Sequence, residues 1–169
     1  MEQCDKKGVS QNISKIWDNG GRGMREILFR GKRVDSGEWV EGNFIKDNWG
    51  DTYGELIYGI LQDREAPAGL AGWIPKRVLP ETVGEYTGLT DKNGKKIFEG
   101  DILQDKFGQI KIVDYCNEWG AFRACFVKAL NDEGKIVATV GGASFVGTIW
   151  RKYEVIGNIH DNPELLKEK

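Results

Sequence analysis

Glycine constrains this chain more than any other residue: 23 of its 169 residues are Gly, about twice the usual share of roughly 7%. Glycine weakens the interior of a helix or strand, and it supplies the backbone conformations that tight turns need. A chain this dense in glycine is therefore expected to run as short strands joined by many turns. Four prolines and no repeating Gly triplet exclude a collagen-like or Pro-rich chain. The 6 Trp, 5 Tyr and 7 Phe supply apolar mass. A chain of this length buries roughly two-thirds of its unfolded surface, enough to fold without a metal or disulfide staple.

The texture changes at Met24. Residues 1–23 hold only a scattered Val9, Ile13, Ile16 and Trp17 and end in Asn19-Gly20-Gly21-Arg22-Gly23. We expect a leader there, as a short helix over Ser10–Trp17 with a linker, as a disordered lead-in, or as an upstream stretch read through before a start at Met24. From Met24 on, strands are expected over Arg25–Lys32, Glu38–Ile45, Glu55–Leu61 and Trp73–Leu79, the last at an edge because Pro75 interrupts it. Asp35-Ser36-Gly37 is a turn. Asn93-Gly94 lies between two strand-like runs and matches a type I′ hairpin, and Glu99-Gly100-Asp101 makes a second reversal. Gln109–Cys116, Ala121–Val127 and Lys135–Val140 alternate, and Ser144–Trp150 and Tyr153–Ile159 complete the strands. Asp161 or Asn162 can cap a short C-terminal helix with Pro163 at its first position. Strands every 8–12 residues without intervening helices predict a small barrel or sandwich.

The 24 Lys plus Arg against 26 Asp plus Glu give a net charge of −2, which removes the global basic excess that nonspecific nucleic-acid binding uses. No run of 18 apolar residues predicts a membrane span, and the first residues lack the apolar stretch of a secretory signal. Cys4, Cys116 and Cys125 are an odd number without CxxC spacing, which fits a reducing, cytoplasmic compartment. A Cys116–Cys125 bridge across a hairpin is the one pairing that spacing offers, and free thiols are favoured over it.

Catalytic constellations are sparse. His160 is the sole histidine and stands among turn formers, so a structural role is favoured over a triad or a Cys–His pair. The cysteines lack zinc-ligand spacing. Asp91-Lys92-Asn93-Gly94 fails as a calcium loop, because glycine comes at the fourth position and no Glu stands at the twelfth. Glu99 and Asp101 would share a face in a regular strand and could pair as acid and base, but the favoured reading places them around Gly100, with Asp101 capping backbone N–H groups. Binding features weigh more. Arg25, Arg30, Lys32 and Arg33 crowd one hairpin and Lys92, Lys95 and Lys96 another, a basic strip beside Trp39 or Trp49 if the two lie together. Interleaved Glu26, Asp35, Glu38 and Asp91 favour an ordinary solvated surface instead. Trp49 and Trp119, in polar loops, are the better candidates for interface anchors.

Three ordered blocks carry a family resemblance. Met24-Arg25-Glu26-Ile27 with Phe29-Arg30-Gly31 and Trp39-Val40-Glu41-Gly42 resembles the N-terminal signature of the YopX-like phage and prophage proteins. The stretch from Pro80 to Ile102, with Tyr86, Gly88, Leu89, Asp91, Asn93, Gly94, Ile97, Glu99, Gly100, Asp101 and Ile102, is similar to the central signature. Glu154 to Leu166, with Ile156, Gly157, Asn158 and Pro163, is similar to the closing one. Phe98 and His160 stand where Tyr is common. The resemblance implies a mainly β, SH3-like barrel fold with extra hairpins over residues 24–169, a start equivalent to Met24, and self-association. It carries no catalytic residue and no cofactor. The expected function is a non-enzymatic accessory protein that binds a macromolecule, foremost a protein, and forms homo-oligomers. Nucleic acid is the less favoured partner. A metal-assisted hydrolase built on Glu99, Asp101, Asp105 or Asp114 ranks last.

Overall fold

The computed structural model describes residues 26–47, 57–62, 75–130, 136–144 and 149–166. The expected leader, Arg25, Trp49 and Trp73 lie outside them. Eleven strands form: β1 (Phe29–Lys32), β2 (Trp39–Asp47), β3 (Ile57–Leu61), β4 (Lys76–Arg77), β5 (Gly84–Thr90), β6 (Lys96–Phe98), β7 (Asp101–Gln104), β8 (Ile110–Cys116), β9 (Ala121–Leu130), β10 (Ile136–Ser144) and β11 (Glu154–Asn158). They build a six-stranded sheet in the order β4-β3-β2-β1-β5-β6 and a five-stranded sheet in the order β10-β9-β8-β7-β11, antiparallel throughout. The fold is mainly β. Both sheets are open among the described residues, so the described pairings give no closed barrel. The C-terminal helix is a single 3-10 turn over Pro163–Leu166.

Two-sided burial explains the texture of the second sheet. Leu103, Val113, Ala124 and Val155 face one core, which Ile97 and Tyr153 complete. On the opposite face Ile102, Ile112 and Cys125 pack with Ile159, Leu165 and Leu166, so the C-terminal turn closes that side. A strand buried on both faces reads as a continuous apolar run, as Ile102-Leu103 does. The first sheet has its own cluster of Val40, Ile60 and Val78, flanked by Phe29, Phe44 and Tyr58.

Several local expectations change. Asn93-Gly94 does turn the chain, but no non-glycine residue among those described has positive φ, which a type I′ turn would require of Asn93. Instead the Gly94 N–H donates to the Asp91 carbonyl at 3.0 Å and Gly94 alone is left-handed (φ 83°), the turn-plus-bulge pattern of a longer hairpin loop. The Asp91 carboxylate selects it by accepting the N–H groups of Asn93 at 2.7 Å and Lys95 at 2.9 Å. The strand expected over Trp73–Leu79 shrinks to Lys76–Arg77, with a bridge from Val78 to Arg33. Of the strand expected over Ser144–Trp150, residues 145–148 lie outside the described residues; Ser144 closes β10, and Ile149–Lys152 is a 3-10 turn rather than strand.

Candidate functional site

The three sequence blocks meet where the two sheets join. Arg30, on β1, reaches across to Asp101 at the start of β7, with Nη2 2.6 Å from Oδ1. The pair is almost dry, at 12% and 1% side-chain exposure. The guanidinium lies between two rings, 4.9 Å from the Trp39 centroid and 4.8 Å from that of Phe98, and desolvation strengthens such stacking. The other Asp101 oxygen accepts the Phe98 N–H at 2.8 Å. Burial pushes the Asp101 carboxyl above the usual carboxylate range, against the pull of Arg30 and of that N–H.

Gly100 stitches the junction to its neighbours. Its φ of 81° suits glycine. Its N–H donates to the Val113 carbonyl and its own carbonyl accepts the Ile159 N–H, each at 2.9 Å. The closing block completes the contact. Asp161 accepts bonds from Lys32 Nζ and Trp39 Nε1, both at 2.6 Å, and from Asn158 Nδ2 at 3.0 Å. Hydrogen bonding to Lys32 and Asn158 holds its carboxyl down at about 2. The His160 ring sits 6.0 Å from the Trp39 ring, and burial, then the nearby Arg30 charge, push its pKa down, so it is neutral at pH 7. Asp91 ties the other end of the junction by accepting the Val155 N–H at 3.0 Å. Burial works to raise its pKa, but its three backbone N–H bonds win and hold it below the usual range.

A cleft of about 260 Å³ opens beside Gly100, lined among others by Glu81, Glu99, Asp114, Thr139, Ile159 and His160. Burial, with Glu85 and Asp114 nearby, raises the Glu99 pKa. The cleft thus presents a carboxyl that keeps its proton to higher pH than usual, beside a neutral imidazole. It is a hydrogen-bonding pocket whose wall, among the described residues, holds no Ser or Cys. The carboxylates grouped in sequence have separate tasks. Asp101 serves Arg30. Asp105 accepts the N–H groups of Phe107 and Gln109 in the β7–β8 turn. Asp114 holds Arg123 through two bonds at 2.8 and 2.9 Å. Among the described residues no group of three or more His, Cys, Asp or Glu is placed to hold a metal ion.

The basic hairpins do not form a bare strip. Lys32 is paired with Asp161, Arg33 with Asp35, Lys92 with Glu154, and Lys96 with Glu26 and Glu41. Cys116 lies opposite Ala121 and Cys125 opposite Ile112, four residues along β9, so the two thiols are separated by about 13 Å of strand and cannot bridge.

The described surface is apolar chiefly on the second sheet. Trp119, in the β8–β9 turn, is 53% exposed and Phe107, in the β7–β8 turn, 78% exposed; Tyr115 and Phe126 are also exposed. A cation stands over three of these rings: Lys106 4.8 Å from Phe107, Lys111 4.8 Å from Phe126 and Arg123 5.9 Å from Trp119. Sequence reasoning found Trp119 from its polar turn and missed Tyr115 and Phe126. Their alternation within β8 and β9 looks like that of core positions.

Comparison with known proteins places these observations. The family model described as YopX protein matches residues 28–167. The chain belongs to the YopX protein family. The match spans the Arg30–Asp101 pair and the closing turn alike. The crystal structure of protein EF1440 from Enterococcus faecalis is similar at 26% identity, covering 84% of this chain and 99% of that chain, with a TM-score of 0.45. No curated protein matches the chain. No helix among the described residues is long and apolar enough to cross a membrane.

Proposed function

We propose that this YopX-family protein is a phage- or prophage-encoded accessory factor of the bacterial cytoplasm, a non-enzymatic module that captures another protein and self-associates. The observation that carries the reading is the exposed aromatic set Tyr115, Trp119 and Phe126 on one β-hairpin. Exposed large rings are what interface anchors are made of, since they bury much area at little entropic cost. Tyr115, opposite Phe122, and Trp119 stand at the turn end of the hairpin, and Phe126 lies four residues further along β9, about 13 Å away. The charged groups at the sheet junction support it from the other side. Arg30 and Asp101 pair with each other, Asp101 and Asp91 accept backbone N–H groups, and Asp161 accepts from Lys32, Trp39 and Asn158, which makes the junction a lock for the fold. With the family resemblance, we also read the two bulged sheets as SH3-like units.

The test compares immobilised wild type with Trp119→Ala and with Glu99→Gln in capture of protein from lysate of the bacterial host. Capture lost in Trp119→Ala and kept in Glu99→Gln supports binding through the hairpin; the reverse moves function to the cleft. The cations over Phe107, Trp119 and Phe126 favour a second reading, in which bases of a single strand stack on the same rings. A gel shift that weakens steeply with salt would replace protein with nucleic acid as the partner.

A further inference from the structure

Resting on the reading that the protein self-associates, we propose that it does so through the outer edge of β10, paired antiparallel with β10 of a second copy. An open strand edge presents a row of N–H and C=O groups that template another strand, and proteins blunt such edges by shortness, charge, bulges or cover. Three of the four edges here are blunted. β4 is two residues, Lys76 and Arg77, both cationic. β6 is three residues, and its terminal Phe98 N–H is taken by Asp101. β11 is covered by the Asp91 turn: the Val155 N–H goes to the Asp91 carboxylate, and the Tyr153 carbonyl just before the strand accepts the Lys92 N–H.

β10 is instead long and uncharged, and its bulges leave a regular centre. Its nine residues, IVATVGGAS, include no charge and no proline. It ends the sheet order, with β9 as its one strand neighbour among the described residues. Its register against β9 shifts around Ala138 and between Val140 and Ala143, leaving Thr139–Val140 as a regular centre. Those bulges add twist without adding a charge.

A second copy is the occupant that fits. Antiparallel pairing of a strand with itself about a twofold axis is self-complementary, so one edge satisfies the other and the assembly closes at two. A neutral strand meets its own image with no like charges opposed, and the net charge of −2 adds little long-range repulsion. The twofold would lie perpendicular to the sheet, so the same faces of both sheets would align. Thr139 sits on β10 and in the cleft wall, so the two clefts would open on the same side of the joined sheet.

The experiment is light scattering on size-exclusion fractions of the full chain over a concentration series, with Thr139→Pro and Val140→Pro. Neighbouring residues of a strand point their N–H groups to opposite sides. One variant therefore removes a bond to β9 and the other an outward donor. Thr139→Pro also removes the hydroxyl that accepts from Arg123 Nη2 at 3.3 Å, so Thr139→Ala reports that loss separately. The proline variant that keeps the wild-type circular dichroism and melting midpoint is the one that is read. We expect a wild-type dimer whose dissociation constant rises at least tenfold in that intact variant. Hydrogen exchange on wild type gives a readout that needs no variant: amides of 136–144 should slow at least tenfold when the protein is concentrated from monomer to dimer. A dimer with neither effect overturns the β10 edge and leaves self-association standing. A wild-type monomer at all concentrations overturns both.

Discussion

Breaking the Arg30–Asp101 pair tests whether the sheet junction is a structural lock. Asp101→Asn keeps the size of the side chain and an oxygen for the Phe98 N–H, and removes the charge that faces Arg30 at 2.6 Å. Arg30 then remains charged between Trp39 and Phe98 at 12% side-chain exposure, with Nε already buried and without an acceptor among the described residues. Removing one partner of a buried pair costs about 3–5 kcal/mol. For a domain of this size each kcal/mol moves the melting midpoint by roughly 2–4 °C, so a fall of about 6–20 °C is expected. Arg30→Met leaves the opposite orphan, a buried carboxylate, which responds by keeping its proton. Asp101 is already raised above its ordinary value by burial, and losing Arg30 raises it further. A carboxyl with a raised folded pKa binds more protons folded than unfolded, so stability declines as pH rises from about 4 through the folded value. The cost of Arg30→Met should therefore be least near pH 4 and grow toward pH 8. The double variant Arg30→Met/Asp101→Asn, with neither charge buried, should recover part of the loss and fall well short of the sum. Urea unfolding monitored by Trp fluorescence and circular dichroism gives all four values. Asp101→Asn within about 1 kcal/mol of wild type, or a double variant equal to the sum of the singles, would refute the lock.

Other consequences follow from the same contacts. Asp161, held at about 2, contributes stability that is complete above its ordinary pKa and lost as pH falls from about 4 toward 2. Asp161→Asn should flatten that limb of the pH–stability curve while costing about 1 kcal/mol at neutral pH, since the group is partly solvated. Gly94→Ala meets open space but forces φ 83° on a side chain, so chemical unfolding should show a loss of about 1–2 kcal/mol from backbone strain alone. Alkylation of the oxidant-treated, then unfolded protein should label both Cys116 and Cys125, because the strand register separates them and burial lifts the Cys125 thiol to about 11. A bridged peptide would show that the register is wrong. Trp119→Ala should leave the midpoint unchanged within about 0.5 kcal/mol, as an exposed side chain outside the core does.

What the sequence disclosed was local. Alternation located β8, β9 and the start of β10, and Asn93-Gly94 marked a hairpin. The turn type was hidden, because the Asp91 side chain decides it and also reaches β11, 64 residues further on. The turn of Glu99-Gly100-Asp101, with Asp101 capping a backbone N–H, was legible, but that the turn sends Asp101 into the core to meet Arg30 and Glu99 into the cleft was not. Nothing near Arg30 announces Asp101 as its partner, and the cleft draws Glu81, Asp114 and Thr139 from separate elements, which periodicity cannot assemble.

Capture by the β8–β9 hairpin is measured most directly by quantitative mass spectrometry of host protein retained on immobilised wild type, Trp119→Ala, Tyr115→Ala and Glu99→Gln, with equal folding verified by melting. The account predicts one set of proteins retained by wild type and Glu99→Gln and reduced at least tenfold by Trp119→Ala and Tyr115→Ala. Retention unchanged by the two hairpin variants and abolished by Glu99→Gln would contradict it.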